Sequence, residues 1–333
     1  MNYTDRYDNY DLFGDIDKYL ERPREFDFPR GGNLYPSEAS VKFQDENGNW
    51  IVEGGCLRKS WYRIRGIESG GTNARAEYIF AAGKMFENFI VEQMKQMGLW
   101  RANSVPFISN EFNNDIPVKG ELDGVFWDPI NKVNYVWECK TGHGFMAKKD
   151  IFGDFHHRGY PKVSQLLQTL VYTYHFRESN PDPKIKTHFP FTRLCYIMRD
   201  EPANRKTFKV EVQEINGIWM ALVDGIVEKR FTIENIKQRY QELCAAVKKD
   251  EPPPRDYDLI YSDEKVEMLH DRGLLSESKW KDHESNLRVR AGKSRMRDPK
   301  IKIIGDWNCK YCNNIRQCYP DISISQLEED EET

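Results

Sequence analysis

The stretch Gly120–Gly142, GELDGVFWDPINKVNYVWECKTG, concentrates the residue types that can do chemistry. β-branched and aromatic residues alternate with polar ones on both sides of Asp128-Pro129, so a strand, a turn and a second strand are predicted. Side chains alternate faces along a strand, which puts Glu138 and Lys140 on one face and Tyr135, Trp137 and Cys139 on the other. Asp123, in the preceding strand, falls beside them. Two carboxylates and an ammonium then converge on a patch flanked by Val, Trp and Phe, and buried charges need partners or a metal. Carboxylates are hard ligands for Mg²⁺ or Mn²⁺. Such an ion lowers the pKa of water and neutralises charge building on a phosphorane, while a nearby lysine orients the attacking hydroxide. The chemistry that fits is phosphodiester cleavage. The alternative is a surface hairpin carrying an ion pair.

The elements that must position this patch lie on either side of it. A helix is predicted over Ala76–Met97, with Ile79, Phe80, Gly83, Phe86, Ile90, Val91 and Met94 in one apolar stripe. Glu87 falls inside that stripe, where a carboxylate needs a cation. A third metal ligand is preferred to an internal salt bridge. After the hairpin, residues 141–162 read as a loop rich in Gly, Lys and His, whose His143, His156 and His157 lack zinc-site spacing and suit phosphate contacts or plain surface. A second helix, Val163–Phe176, carries its apolar stripe on Val163, Leu166, Leu167, Leu170, Val171 and Tyr174. Gln165, Gln168 and Tyr172 share the opposite face, expected to be free for a partner. Strands are predicted within residues 190–215, and Thr232 is the expected N-cap of a further helix. An Asn47-Gly48 turn between two short strands predicts a hairpin in Ser40–Gly54.

Composition bounds the function class. The 333 residues suffice for one large domain with insertions or two modest ones. Hydrophobic residues at 39% and aromatics at 13% predict a folded chain, and 31% charged residues with a mean hydropathy of -0.75 predict a soluble, cytoplasmic one with no membrane partner. A net charge of -4 confines any nucleic-acid contact to a local patch. Lys279–Lys302 offers one, with nine Lys or Arg against three Asp or Glu. Residues 1–35 read as an irregular or partly helical arm. The proline run near 252–254 reads as a linker, and the acidic residues 321–333 as a disordered tail.

Cys309-x2-Cys312-x5-Cys318 is a compact set of three thiols, and Cys56 is the best candidate for a fourth. Four thiolates suit Zn²⁺ or an iron-sulfur cluster, and softness alone does not separate them; uncoordinated thiols are the plain alternative. Cys195 and Cys244 sit in apolar patterns typical of core cysteines.

Asp123 with Glu138-x-Lys140 resembles the core of the PD-(D/E)XK nuclease superfamily. The cysteine arrangement resembles its RecB-like branch, which includes the CRISPR-adaptation exonucleases, nuclease subunits of end-resection machines and many phage proteins. Pro36-Ser37 before Cys56-x-Arg58 and Trp61-Tyr62, then Gly83-Lys-Met-Phe-Glu87, Gly120-x-x-Asp123, Glu138-Cys-Lys140 and Gln168-x-x-x-Tyr172 follow that branch's order over residues 36–318. The resemblance implies Asp123, Glu138 and Glu87 as ligands of Mg²⁺ or Mn²⁺, with the backbone carbonyl of Cys139 as a further one. It implies Lys140 as the catalytic lysine, Gln168 and Tyr172 as DNA contacts, and Cys56, Cys309, Cys312 and Cys318 as holders of a [4Fe-4S] cluster, with Zn²⁺ as the alternative. Three departures stand out: Glu87 occupies a position where many members carry His, Leu57 replaces a common proline, and the Asn47-Gly48 hairpin is inserted.

The expected fold is therefore α/β, a restriction-endonuclease-like core with a mixed central sheet flanked by helices. The nuclease core spans 36–250, and a basic, cysteine-bearing part of the same domain spans 251–320. The expected function is metal-dependent DNA cleavage, exonucleolytic on ends or single strands, with Arg58 and Arg63 as phosphate contacts and a recombination or CRISPR-adaptation protein as partner. A non-catalytic DNA-binding subunit that keeps the fold and cluster is the rival.

Overall fold

Strands β4 (Val118–Asp128) and β5 (Val133–Gly142) form the expected hairpin. The Asp128 carboxylate closes its turn by accepting from the Ile130 and Asn131 amides, both at 3.0 Å. In the computed structural model, which describes residues 12–21, 32–67, 74–179, 189–293 and 301–322, this hairpin lies within a seven-stranded sheet. Its other strands are β3 (Trp100–Ser109), β6 (Thr192–Met198), β7 (Arg205–Ile215), β8 (Ile218–Val223) and β9 (Ile226–Thr232). They run in the order β3-β4-β5-β6-β7-β8-β9, and only the β5/β6 pair is parallel. Parallel neighbours need a crossover. Helices α4 (Gly144–Phe152) and α5 (Val163–Tyr174) provide it, so α4 corrects the expectation of a loop over 141–162. Strands β8 and β9 were not foreseen, although Asn216-Gly217 and Asp224-Gly225 are hairpin-turn dipeptides; all four residues take positive φ.

The sheet is α/β, with helices on both faces. On one face α3 (Ala74–Gln96) packs Val91, Ile90 and Met94 against Phe126, Tyr135, Trp137 and Phe191, with Cys139 and Cys195 at the margin. On the other, α5 buries Leu166, Leu167 and Leu170 completely. Each such side chain contributes about 2 kcal/mol. The apolar stripe expected on α3 is only half used: Ile79 is 38% and Phe80 64% exposed. That end of the helix is flanked instead by α1 (Leu12–Glu21), where Tyr78 donates to Asp17 at 2.9 Å.

The predicted short hairpin is present as β1 (Ser40–Gln44) and β2 (Trp50–Gly54), followed by α2 (Leu57–Ile64). Helix α6 (Ile233–Lys249) starts at Thr232, whose hydroxyl accepts from the Asn235 amide. The proline run marks a boundary, because the chain divides into two compact units, Met1–Pro253 and Pro254–Thr333. In the second unit, α7 (Asp263–Asp271) and α8 (Glu277–Arg290) enclose Trp280, stacked 3.8 Å from the His270 ring. No helix among the described residues is long and apolar enough to cross a membrane. The acidic residues 323–333, and residues 294–300 of the basic stretch, lie outside the described residues.

Candidate active site

Strands β4 and β5 pair from Asp128↔Val133 to Gly124↔Trp137 and then part. Asp123 and Glu138 stand at the fork. The Asp123 carboxylate fills the gap by accepting from the Cys139 amide at 2.7 Å. In an extended strand the N–H and C=O of one residue point to the same side, so the Cys139 carbonyl also faces the fork. Glu138 is only 1% exposed. Its Oε1 accepts from Lys140 Nζ at 2.6 Å and from Gln168 Nε2 at 2.9 Å, while Oε2 is buried with no hydrogen-bond partner.

Glu87 comes from α3, on the far face. A Cβ placed at Gly83 would lie 3.9 Å from Thr141 Oγ1, so α3 passes close to the end of β5 at that glycine. One turn on, Glu87 contributes to the field at both Asp123 and Glu138. Its Oε1 is held by Lys84 Nζ at 2.6 Å. Among the described residues, no three Asp, Glu, His or Cys side chains already form a metal cage. Two ammonium groups, Lys140 and Lys84, pair with two of the three carboxylates, Glu138 and Glu87.

Electrostatics shows how poorly those lysines satisfy the acids. Burial first, then the Glu138 charge, pushes Asp123 from the ordinary 3.8 up to about 7, despite Lys140 and the Cys139 amide. Burial raises Glu138 as well, against Lys140. Lys140 is pulled down by burial, but the Glu138 and Asp123 charges outweigh that, and the net shift is upward. The ammonium therefore stays protonated and acts as a donor. A hard divalent cation fits this donor set, because it would offset two crowded carboxylates and give the orphaned Glu138 oxygen a partner.

The pH dependence has a definite sign. Folded Asp123 keeps its proton up to about pH 7, whereas the unfolded chain loses it near the ordinary value, so the folded state binds more protons in between. Asp123 should therefore subtract thermal stability from the metal-free protein as pH rises from about 4 through 7. Melting in EDTA across that range should show the wild type losing stability relative to Asp123→Asn as pH rises. A wild-type minus variant difference that stays constant with pH would exclude a raised Asp123.

Several expected contacts lie elsewhere. Tyr172 is 2% exposed, not presented to a partner: its ring meets Phe107 edge-on at 5.5 Å and its hydroxyl donates to the Glu121 carbonyl at 3.1 Å. Two faces of α5 are used: the Gln165, Gln168 and Tyr172 face lies on the sheet, bonded to Tyr196, Glu138 and the Glu121 carbonyl, while Leu167 reaches Gly54 of β2. Gln168 does reach the site, through Glu138. Arg63 is committed to the fold, with both Glu38 oxygens at 2.6 and 2.7 Å, the Asn33 carbonyl at 2.7 Å and the Tyr35 ring beneath it. Arg58 donates to the Pro253 carbonyl at 2.8 Å. Both sets of partners have one cause, namely that arginine forks serve carbonyls and carboxylates inside a fold as readily as phosphates. In the second unit, Lys279 donates to the Gly305 carbonyl, and Arg290 and Lys302 pair with Asp263 and Asp282, so part of the basic stretch is internally neutralised.

Three residues were missed. Lys119 and Glu121 alternate with Asp123 along β4, and period-two reading would have put them on its face. They line a cleft with Tyr35, Pro36, Ser37, Gly120 and Tyr172. Lys84 lies one turn before Glu87.

Cys56 is the N-cap residue of α2 in the first unit. In the second, Cys309, Cys312 and Cys318 are half-buried on successive turns, where the Cys312 amide donates to the Cys309 carbonyl. Burial pushes the Cys139 thiol far up and that of Cys244 to about 11, which makes them inert core thiols.

No family model matches the chain, and no curated protein matches it. Among solved structures, one described as "Crystal structure of SSO0001" aligns with 70% of this chain and 83% of its own length, at 12% identity and a TM-score of 0.33, a likeness too slight to define fold or activity.

Proposed function

We propose that this chain is a metal-dependent DNA nuclease with a PD-(D/E)XK core of the RecB-like kind, cutting exonucleolytically in the cytoplasm. The observation that carries the proposal is the fork between β4 and β5, where Asp123 and Glu138 meet, Lys140 holds one Glu138 oxygen and the other has no partner.

Asp123, Glu138, Glu87 and the Cys139 carbonyl would hold Mg²⁺ or Mn²⁺, which when bound supplies Lewis acidity to the phosphate and a lowered pKa to water. The chain's own groups do the positioning. Lys140, kept charged by its neighbours, donates a hydrogen bond that orients the attacking water in line with phosphorus. Gln168 fixes the Glu138 carboxylate through Oε1 and so leaves Oε2 as the oxygen open to a cation. Lys119 and Ser37, which line the adjoining cleft, would receive the strand's phosphates alongside Arg58 and Arg63. DNA labelled at its 5′ or its 3′ end, linear and circular, tests this reading. Mn²⁺-dependent shortening of linear DNA from one end is expected, and degradation of closed circles would make the enzyme an endonuclease.

Cys56, Cys309, Cys312 and Cys318 remain the proposed ligands of a structural [4Fe-4S] cluster, or of Zn²⁺. Hydrolysis requires no electron transfer, so Cys309→Ala should yield pale, heat-sensitive protein whose folded fraction still cuts. Iron and sulfide analysis after purification without oxygen checks it: zinc without iron would replace the cluster, and full metal content in Cys309→Ala would remove that ligand.

A further inference from the structure

We infer that the Lys84 ammonium is a phosphate-binding position for the substrate strand, masked by Glu87 in the metal-free chain and released when Glu87 turns to a metal. The inference rests on the nuclease reading above. Lys84 Nζ sits 2.6 Å from Glu87 Oε1, and its side chain is 55% exposed while that of Glu87 is 14% exposed. The lysine thus stands at the rim and the carboxylate within. The ammonium also feels the charges of Asp123 and Glu121, so it faces the acid row of β4 and not open solvent alone.

Charge decides what happens there. Glu87, Glu121, Asp123 and Glu138, when ionised, set four negative charges against the three ammonium groups of Lys84, Lys119 and Lys140, and the surplus repels a polyanion. A divalent ion offsets that surplus and competes with Lys84 for Glu87, because a doubly charged hard cation is a stronger partner for a carboxylate than a half-exposed ammonium. Lys84 then has no acid left to itself, and a backbone phosphate is the anion at hand. Metal loading and strand binding become coupled through a single side chain.

Opposite effects on two ligands distinguish this role from a structural one. Mn²⁺ binding is measured by calorimetry on the full chain without DNA, and binding of labelled single-stranded DNA by anisotropy in Ca²⁺. Lys84→Met should bind Mn²⁺ about threefold more tightly, since a competing cation is gone. It should bind DNA about five- to tenfold more weakly, with a salt slope reduced by about one contact. Lys84→Arg should restore DNA affinity to within about twofold. Unchanged or weaker Mn²⁺ binding, or unchanged DNA affinity and slope, in Lys84→Met overturns the inference. If the wild type binds and cuts normally in that case, the nuclease reading survives; a wild type that binds no Mn²⁺ overturns both.

Discussion

Glu138→Gln is expected to lower the rate of DNA cleavage by about a thousandfold or more, because it replaces the carboxylate that links the fork to Lys140 and Gln168. The amide keeps the shape of the side chain and cannot offer an anionic oxygen. Folding should suffer far less than activity. Burial opposes the Glu138 charge, and the amide oxygen can still accept from Lys140, so losing a desolvated charge offsets much of what the buried ammonium loses with its partner. Melting in EDTA should therefore show the variant close to the wild type, alongside its lost activity. A variant that melts well below the wild type would show that the carboxylate holds the fold together, and the loss of cleavage would then say little about chemistry.

Tyr172→Ala is expected to destabilise the first unit by about 3–5 kcal/mol, the cost of emptying a large buried aromatic site. The ring is lost from its edge contact with Phe107, and the Glu121 carbonyl loses a hydroxyl donor. Tyr172→Phe separates the two contributions: about 1 kcal/mol belongs to the hydroxyl, and the remainder to packing. Denaturant titration of both variants measures this. If Tyr172→Ala were as stable as the wild type, the ring would have to be solvent-facing, contrary to its burial.

The tyrosine also shows where the sequence is opaque. Helical spacing separates Gln168 and Tyr172 from the leucine stripe of α5, and that separation is real in angle. It does not predict solvent, because the Gln–Tyr face lies on the sheet while Leu167 on the leucine stripe is covered by Gly54 of β2. A helix with two covered faces has no apolar stripe that reveals the second. The opposite error occurs on α3, where Ile79 and Phe80 continue the apolar period yet remain largely exposed. Periodicity records what a helix could bury and not what stands opposite.

The central hairpin was legible because two independent patterns agree there. Alternation assigned Glu138 and Lys140 to one face and Trp137 to the other, and Asp128-Pro129 placed the turn. What alternation alone could not reveal is the parting of β4 and β5 after Gly124↔Trp137, since it depends on the Asp123 side chain replacing a ladder hydrogen bond to Cys139. That replacement gives the fork its chemistry. The partners of Arg58 and Arg63 were illegible for another reason: a positive charge in sequence carries no sign that it meets, as here, Glu38 and a backbone carbonyl.

The measurement closest to the central claim is cleavage of end-labelled linear DNA by the wild type and by Glu138→Gln, each in Mn²⁺ and in EDTA. Shortened products are predicted only for the wild type in Mn²⁺. Intact DNA in all four reactions, or equal cleavage by the two proteins in Mn²⁺, would contradict a nuclease centre at Asp123, Glu138 and Lys140.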